Sequence, residues 1–392
     1  MKPKSEEMTN PKNGQSWEQL RSRFPVLQKK TYLNSCSYAA LAIEVEASLQ
    51  RYLDARNDRG ADWGYWVERN EAVRSSVARL IGAQPDEVAV TASVSAGINS
   101  LASALRFDGP RNKVVITDFE FPTNAQIWYA QELRGARVVR IAAEGNRIPL
   151  EKFEAAIDEE TLIVATAQVA FRHGAKQDIP AIAEIARRKG ALMMVDTYQA
   201  LGTMQFDVKK AGVDFAVGGM LKYLLGTAGI AFFYARQELI EALTPSVTGW
   251  FAQENIHAMD ITRYSPATTA RRFEAGTPPV PNTYMAEAGL AIMHEVGLEA
   301  IEQRIGEITA AIKGAATAAG YHLASPLNPA HHGAMITLRS SDPNRLVASL
   351  AEDNIVVSCR DSNLRIAPHF YNNQADIDHL FRALHKRREL LV

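Results

Sequence analysis

The sequence predicts an α/β fold: a large domain built on a mostly parallel seven-stranded sheet flanked by helices, followed by a smaller α+β C-terminal domain. Three observations carry that expectation. Short, nearly continuous apolar runs recur between residues 87 and 235. Amphipathic stretches of helical period alternate with them. Beyond about residue 265 the alternation gives way to two long helical stretches and a new group of strand-like runs. Strands that are apolar on both faces need cover on both faces, and helical crossovers supply it when the strands run parallel.

In chain order, residues 1–16 are polar and read as a mobile tail within an N-terminal arm over 1–30. The large domain is expected over 31–265 and the small one over 266–392. Val73, Val77, Leu80 and Ile81 share one helical face, and Gly82 stops that helix. EVAVTAS (87–93) reads as the first strand, and SAGINSLASAL (95–105) as a helix starting at Ser95. KVVITDF (113–119), ARVVRIAA (136–143), TLIVATAQVAF (161–171) and ALMMVD (191–196) follow as strands. Between the last two, Ile179, Ile182, Ile185 and Ala186 line one face of a helix that ends at Gly190. FAVGGM (215–220) and GIAFFYA (229–235) complete the seven. Helices are then expected over 283–295 and 299–320, strands over 334–339, 354–359 and 363–368, and a last helix through Ile377, Leu380, Phe381 and Leu384.

Composition removes several classes of function. Net charge is −1, from 43 basic and 44 acidic residues with no basic stripe, which argues against nucleic acid as a partner. No apolar run is long enough to span a bilayer, and the polar start lacks the apolar core of a secretory signal. Two cysteines, Cys36 and Cys359, make no disulfide framework. A cytoplasmic protein is expected.

Four features carry chemistry. Asp196 ends an apolar strand, where right-handed crossovers gather ligands. It is either a turn-capping aspartate or a buried carboxylate that keeps a pyridine nitrogen protonated. Lys222 lies 26 residues further on, in an apolar stretch bracketed by Gly218, Gly219, Gly226 and Gly229. It is either a snorkelling strand-end lysine or a desolvated amine able to form an imine. TASVSAGIN (91–99) joins a strand end to a helix start, so the backbone of Val94 and the hydroxyl of Ser95 suit a phosphate as well as an ordinary cap. Arg365, on a late strand, suits a substrate carboxylate or a surface ion pair.

At these residues the chain resembles the class V branch of the fold-type I enzymes of pyridoxal phosphate (PLP). That branch includes cysteine desulfurases, selenocysteine lyase, kynureninase and small-molecule aminotransferases. The resemblance runs from YLNSCSYAAL (32–41) to HFYNNQADID (369–378). VDTYQALG (195–202) is similar to the family's aspartate-plus-glutamine segment, which implies that Asp196 meets the pyridine nitrogen and Gln199 the phenolic oxygen. LKYLLGTAGIAFFY (221–234) is similar to the Schiff-base lysine segment and implies Lys222. RRFEAGTPPVPNTY (271–284) is similar to a segment that crosses a homodimer, so Thr277 is implied at the partner's cofactor phosphate.

FEFPTN (119–124) and GWF (249–251) resemble kynureninase, which implies Phe121 over the cofactor ring and Trp250 near substrate. His173, after a strand end, is a further substrate-side candidate. Three kynureninase positions differ: Leu221 replaces a tyrosine, Gln199 a histidine and Asn124 an aspartate. Cys359 lies six residues before Arg365 in NIVVSC, which predicts a buried strand thiol and a poor nucleophile. The adjacent His331 and His332 make no expected metal site.

The leading expectation is a PLP-dependent lyase that deprotonates an amino acid at Cα through Lys222 and then cleaves at Cβ. A class V aminotransferase or epimerase is the alternative on the same residues. A scaffold retained only for binding would turn over no amine. A nicotinamide dehydrogenase would need GxGxxG after the first strand, which TASVSAG does not supply.

Overall fold

The structure, a computed structural model, describes residues 14–392, so most of the expected tail lies outside the described residues. Seven strands form the main sheet: β1 (Val88–Thr91), β2 (Lys113–Thr117), β3 (Arg137–Ile141), β4 (Thr161–Ala167), β5 (Leu192–Asp196), β6 (Phe215–Gly219) and β7 (Ala231–Ala235). Their order is β1-β7-β6-β5-β4-β2-β3. Only β7 runs against its neighbours, pairing antiparallel with both β1 and β6. The other pairs are parallel.

Alternate residues of one strand enter different cores. Val115, Val164, Met193 and Val195 pack on one face. Val114, Ile116, Ile163 and Met194 pack on the other. That two-sided burial is why these strands read as continuous apolar runs rather than as alternation. The edge strand β3 is the exception, with exposed Arg137 and Arg140 blunting an open ladder. Because β1, β2, β4, β5 and β6 are parallel, their C-terminal ends open on one edge of the sheet.

After residue 265, helices Val280–Val296 and Leu298–Ala319 lead to a three-stranded antiparallel sheet in the order Ser358–Arg360, Asn363–Ile366, Ile336–Arg339. A separate core of Ile336, Leu346, Leu364, Ile377 and Leu380 lies beneath it. The expected single strand over 354–359 is instead two. Ile355–Val356 pairs with Thr31–Tyr32, whereas Ser358–Arg360 pairs with Asn363–Ile366. Val357 is the joint, and a run serving two ladders looks continuous in one dimension.

Among the helices that escaped the sequence reading, two lie near the N-terminus. Helix Trp17–Arg21 is closed by a Ser16–Gln19 capping box and buries Trp17 and Leu20, with Phe24 packed on Tyr371 at 4.5 Å. Helix Ile43–Arg59 buries only Val45 and Ser48, so it has almost no apolar periodicity to detect.

Candidate active site

The strand ends build one cavity of about 300 Å3. β1 supplies Ala92–Ser95, β2 Phe119 and Phe121, β4 Ala167 and Val169, β5 Asp196, Tyr198 and Gln199, and the turn after β6 Leu221 and Lys222. A larger groove of about 1070 Å3 lies elsewhere, between Arg79, Lys176, Asp178, Lys210 and Glu299. It gathers none of the cofactor-binding or substrate-binding candidates, so the smaller cavity is the one to weigh by chemistry.

Asp196 ends β5 with 7% of its surface exposed, and its Oδ1 accepts from the Tyr198 amide at 2.8 Å. Burial pushes its carboxyl up, against the opposing pull of that amide and of Lys222. Lys222 lies where β6 gives way to the return into β7. Burial pushes its amine down; Asp196 and Cys36 pull the other way, and Arg365 adds to the fall. Lys222 Nζ stands 4.2 Å from the Tyr198 ring centroid and 5.8 Å from that of Phe121.

Gln199 is buried, and its Nε2 donates to the Cys36 carbonyl at 3.0 Å while Oε1 has no partner. Helix Val94–Ala104 starts one residue earlier than expected, because the Ser93 side chain caps it by accepting from the Ala96 amide at 3.1 Å. Its first turn therefore aims at the cavity with Ser93, Val94 and Ser95, and Ser95 Oγ lies 3.2 Å from Thr123 Oγ1. Phe121 packs edge-on against Phe171 at 5.1 Å. Arg365, buried on strand Asn363–Ile366, donates from Nη1 to the Phe171 carbonyl (3.1 Å) and from Nε to Ser358 Oγ (3.2 Å). It thus stands behind a residue of the cavity wall.

The remaining candidates lie apart from this cavity. Trp250 lines a separate space of about 420 Å3 beneath the 249–265 loop, with its ring 5.8 Å from Trp63. Thr277 is exposed on the surface. His173 sits behind Phe119, ring to ring at 4.9 Å, and burial next to Arg172 pushes it down to about 4, so it is neutral at ordinary pH. Cys359 is not buried as expected. It is partly exposed on the outer strand of the small sheet, and its Sγ donates to Asn344 Oδ1 at 3.2 Å. A hairpin only three residues from Arg360 to Asn363 leaves its strand at the sheet edge.

Several cavity residues were missed by sequence reasoning. Ser93 had a signal, the S-x-S start of a helix. Tyr198 and Phe171 had none, because an aromatic beside a strand end more often packs. Glu120 is buried between two wall residues, Phe119 and Phe121. Its Oε1 accepts from Thr117 Oγ1 (2.8 Å) and the Ala167 amide (3.0 Å), and its Oε2 from Asn124 Nδ2 (2.5 Å). Asn124 in turn accepts from Trp128 Nε1 at 2.8 Å. Burial pushes Glu120 up to about 7, with hydrogen bonds opposing and Asp196 adding to the rise.

The residues present fit pyridoxal phosphate. A buried carboxylate without a salt-bridge partner suits a protonated ring nitrogen, and a desolvated amine suits an aldehyde. The unpartnered amide oxygen of Gln199 marks an accepting position left for a ligand's hydroxyl. The capped helix start suits a phosphate.

Comparison with known proteins agrees with that chemistry. A family model described as Aminotransferase class-V matches residues 58–380. The chain is 38% identical over 362 residues to an uncharacterized aminotransferase, YcbU, of Bacillus subtilis (strain 168), covering 92% of this chain and 95% of that one. It is 25% identical over 368 residues to a kynureninase of Geobacillus thermodenitrificans (strain NG80-2), covering 89% and 86%. Among solved structures it resembles the apo cysteine desulfurase of Thermococcus onnurineus NA1, with a TM-score of 0.86 at 22% identity over 95% and 98% of the two chains.

Proposed function

The chain belongs to the class-V aminotransferase family, and from that premise we propose a lyase that removes the Cα proton of an amino acid and then cleaves at Cβ, at carbon–carbon or carbon–sulfur/selenium. It is a pyridoxal-phosphate-dependent enzyme. When bound, the cofactor draws electrons away from Cα. The observation that carries the reading is the meeting of Lys222 and Asp196 in one apolar cavity at parallel strand ends.

Each side chain then has work to do. Lys222, kept from its full basicity by burial, accepts the Cα proton on Nζ. Asp196 holds a proton on the ring nitrogen; a cation placed against it reverses the effect of burial and keeps it ionised. Gln199 meets the phenolic oxygen. The amides at Val94 and Ser95, with the hydroxyls of Ser93 and Thr123, take the phosphate. Phe121 covers the ring. Arg365 spends two of its five N–H groups on Phe171 and Ser358 and has others for a substrate carboxylate. Phe119, Phe171 and Val169 wall the space beyond it, which suits an apolar substituent. His173 has no place in this scheme.

We further propose a homodimer. Leu41, just before helix Ile43–Arg59, and Ile43, Leu49 and Leu53 within it are exposed, apolar surface that a second copy would cover. Exposed Thr277, and Trp250 in its separate space, would then serve the partner's cavity. The division into an arm, a large and a small domain is likewise our reading. Among the described residues no helix is long and apolar enough to cross a membrane. A cytoplasmic setting accords with two unpaired cysteines.

Transamination is the second reading, favoured by the name of the relative at 38% identity. Persulfide transfer is disfavoured, because Cys359 lies outside the cavity. A screen of amino acids against the purified protein tests the choice. A lyase releases pyruvate, alanine or sulfide repeatedly without a keto-acid acceptor. A transaminase stops after one keto acid per site. In either case Lys222→Ala abolishes the visible absorption of the bound cofactor, and a variant that keeps the band refutes the scheme.

A further inference from the structure

Tyr198 follows Asp196 by two residues, in a turn closed by the amides of Ala200 and Leu201 donating to the Thr197 carbonyl, both at 2.8 Å. Its own amide donates to Asp196 Oδ1, so the carboxylate that faces the cavity also fixes where this ring starts. The ring lines the cavity and lies 4.2 Å from Lys222 Nζ, well inside the range of a cation–π contact. Phe121 approaches the same nitrogen from 5.8 Å.

The ring has that position because the last residue of β6 has no side chain. A Cβ on Gly219 would stand 2.1 Å from Tyr198 Cζ and 2.2 Å from its hydroxyl oxygen. An aromatic ring is rigid, so it could not yield at that edge without swinging as a whole. Gly219, whose φ is not positive, is therefore needed for the tyrosine rather than for a turn.

We propose that Tyr198 is a positioning residue for Lys222, holding its nitrogen over the ring face, and that Gly219 is the residue that admits it. The proposal rests on the reading of Lys222 as the amine that bears the cofactor. The groups that face Lys222 are Asp196, Cys36 and Arg365 by charge, and Tyr198 and Phe121 by their rings. Burial and Arg365 disfavour a positive nitrogen, whereas Asp196 and the two ring faces favour it. A four-carbon stem leaves the nitrogen free to wander in an apolar cavity, and the ring face confines it to one side.

The test is a pH titration of the visible band of the purified protein with its cofactor, for wild type, Tyr198→Phe, Tyr198→Leu and Gly219→Ala. Phenylalanine keeps the ring and should leave the midpoint where it is. Leucine keeps the bulk and the dryness but not the π face, and should lower the midpoint by about half a pH unit or more. Gly219→Ala should reproduce that fall, and adding it to Tyr198→Leu should cause no further one. A leucine variant with an unmoved or raised midpoint overturns the proposal, as does a phenylalanine variant that moves as far as leucine. Borohydride reduction and peptide mapping of each variant keep the two levels apart. A label on the Lys222 peptide with an unmoved midpoint sinks only the role of Tyr198. A label elsewhere sinks the underlying assignment of Lys222 as well.

Discussion

Glu120→Gln should change how stability depends on pH, and by an amount large enough to measure. The carboxyl is buried and rises from the ordinary 4.5 to about 7. A group raised in this way binds its proton more tightly in the folded chain than in the unfolded one. Folding therefore takes up a proton between those two values, and stability falls as pH rises from about 4.5 to about 7. Above that the cost is fully present and the curve is flat in this group. The gap corresponds to about 3 kcal/mol.

Glutamine removes the proton and with it this slope, but it adds a fixed mismatch. With its oxygen toward Thr117 and Ala167, its NH2 faces the NH2 of Asn124. If Asn124 turns to accept, Trp128 loses its acceptor. Either way about 1–3 kcal/mol is lost at every pH. The variant should thus be less stable than wild type at pH 5, and equal to it or up to about 2 kcal/mol more stable at pH 8. Urea unfolding of both proteins at half-unit steps between those limits measures the difference. Taking the difference removes the contribution that Asp196 makes in both. A gap between the two proteins that stays constant with pH would refute the reasoning.

Other perturbations read out different parts of the site. Asp196→Asn should lower kcat/KM by about a hundredfold or more while the chain still folds, since only the charge that supports the ring nitrogen is lost; steady-state kinetics and circular dichroism check both halves. Arg365→Ala should raise KM for the amino acid about tenfold or more, with a smaller effect on kcat, because it removes a charged contact with the carboxylate. Arg74→Met addresses stability rather than chemistry. Arg74 Nη1 lies 2.7 Å from Glu274 Oε1 with both side chains less than 5% exposed, and removing the cation strands a buried carboxylate at a cost of about 3–5 kcal/mol, visible in urea unfolding.

The sheet and its ligand edge were legible in the sequence because their signal is local. A strand buried on both faces must be apolar at every position, and an intervening helix must be apolar every three or four, so each element carries its own mark. The order of Asp196 and Lys222 on that frame was legible for the same reason, since a charged residue ending an apolar run is conspicuous. Only tertiary structure decided what surrounds them. Tyr198 meets Lys222 because β5 and β6 are neighbours and Gly219 has no side chain. Glu120 is buried where a distant strand meets it, the Ala167 amide donating to its Oε1, a fact no short window of sequence contains. Helix Ile43–Arg59, the joint at Val357, and the distances of His173, Trp250 and Thr277 from the cavity were invisible alike. Each depends on which distant surface a residue meets, and a one-dimensional pattern records how apolar a position is, not what lies against it.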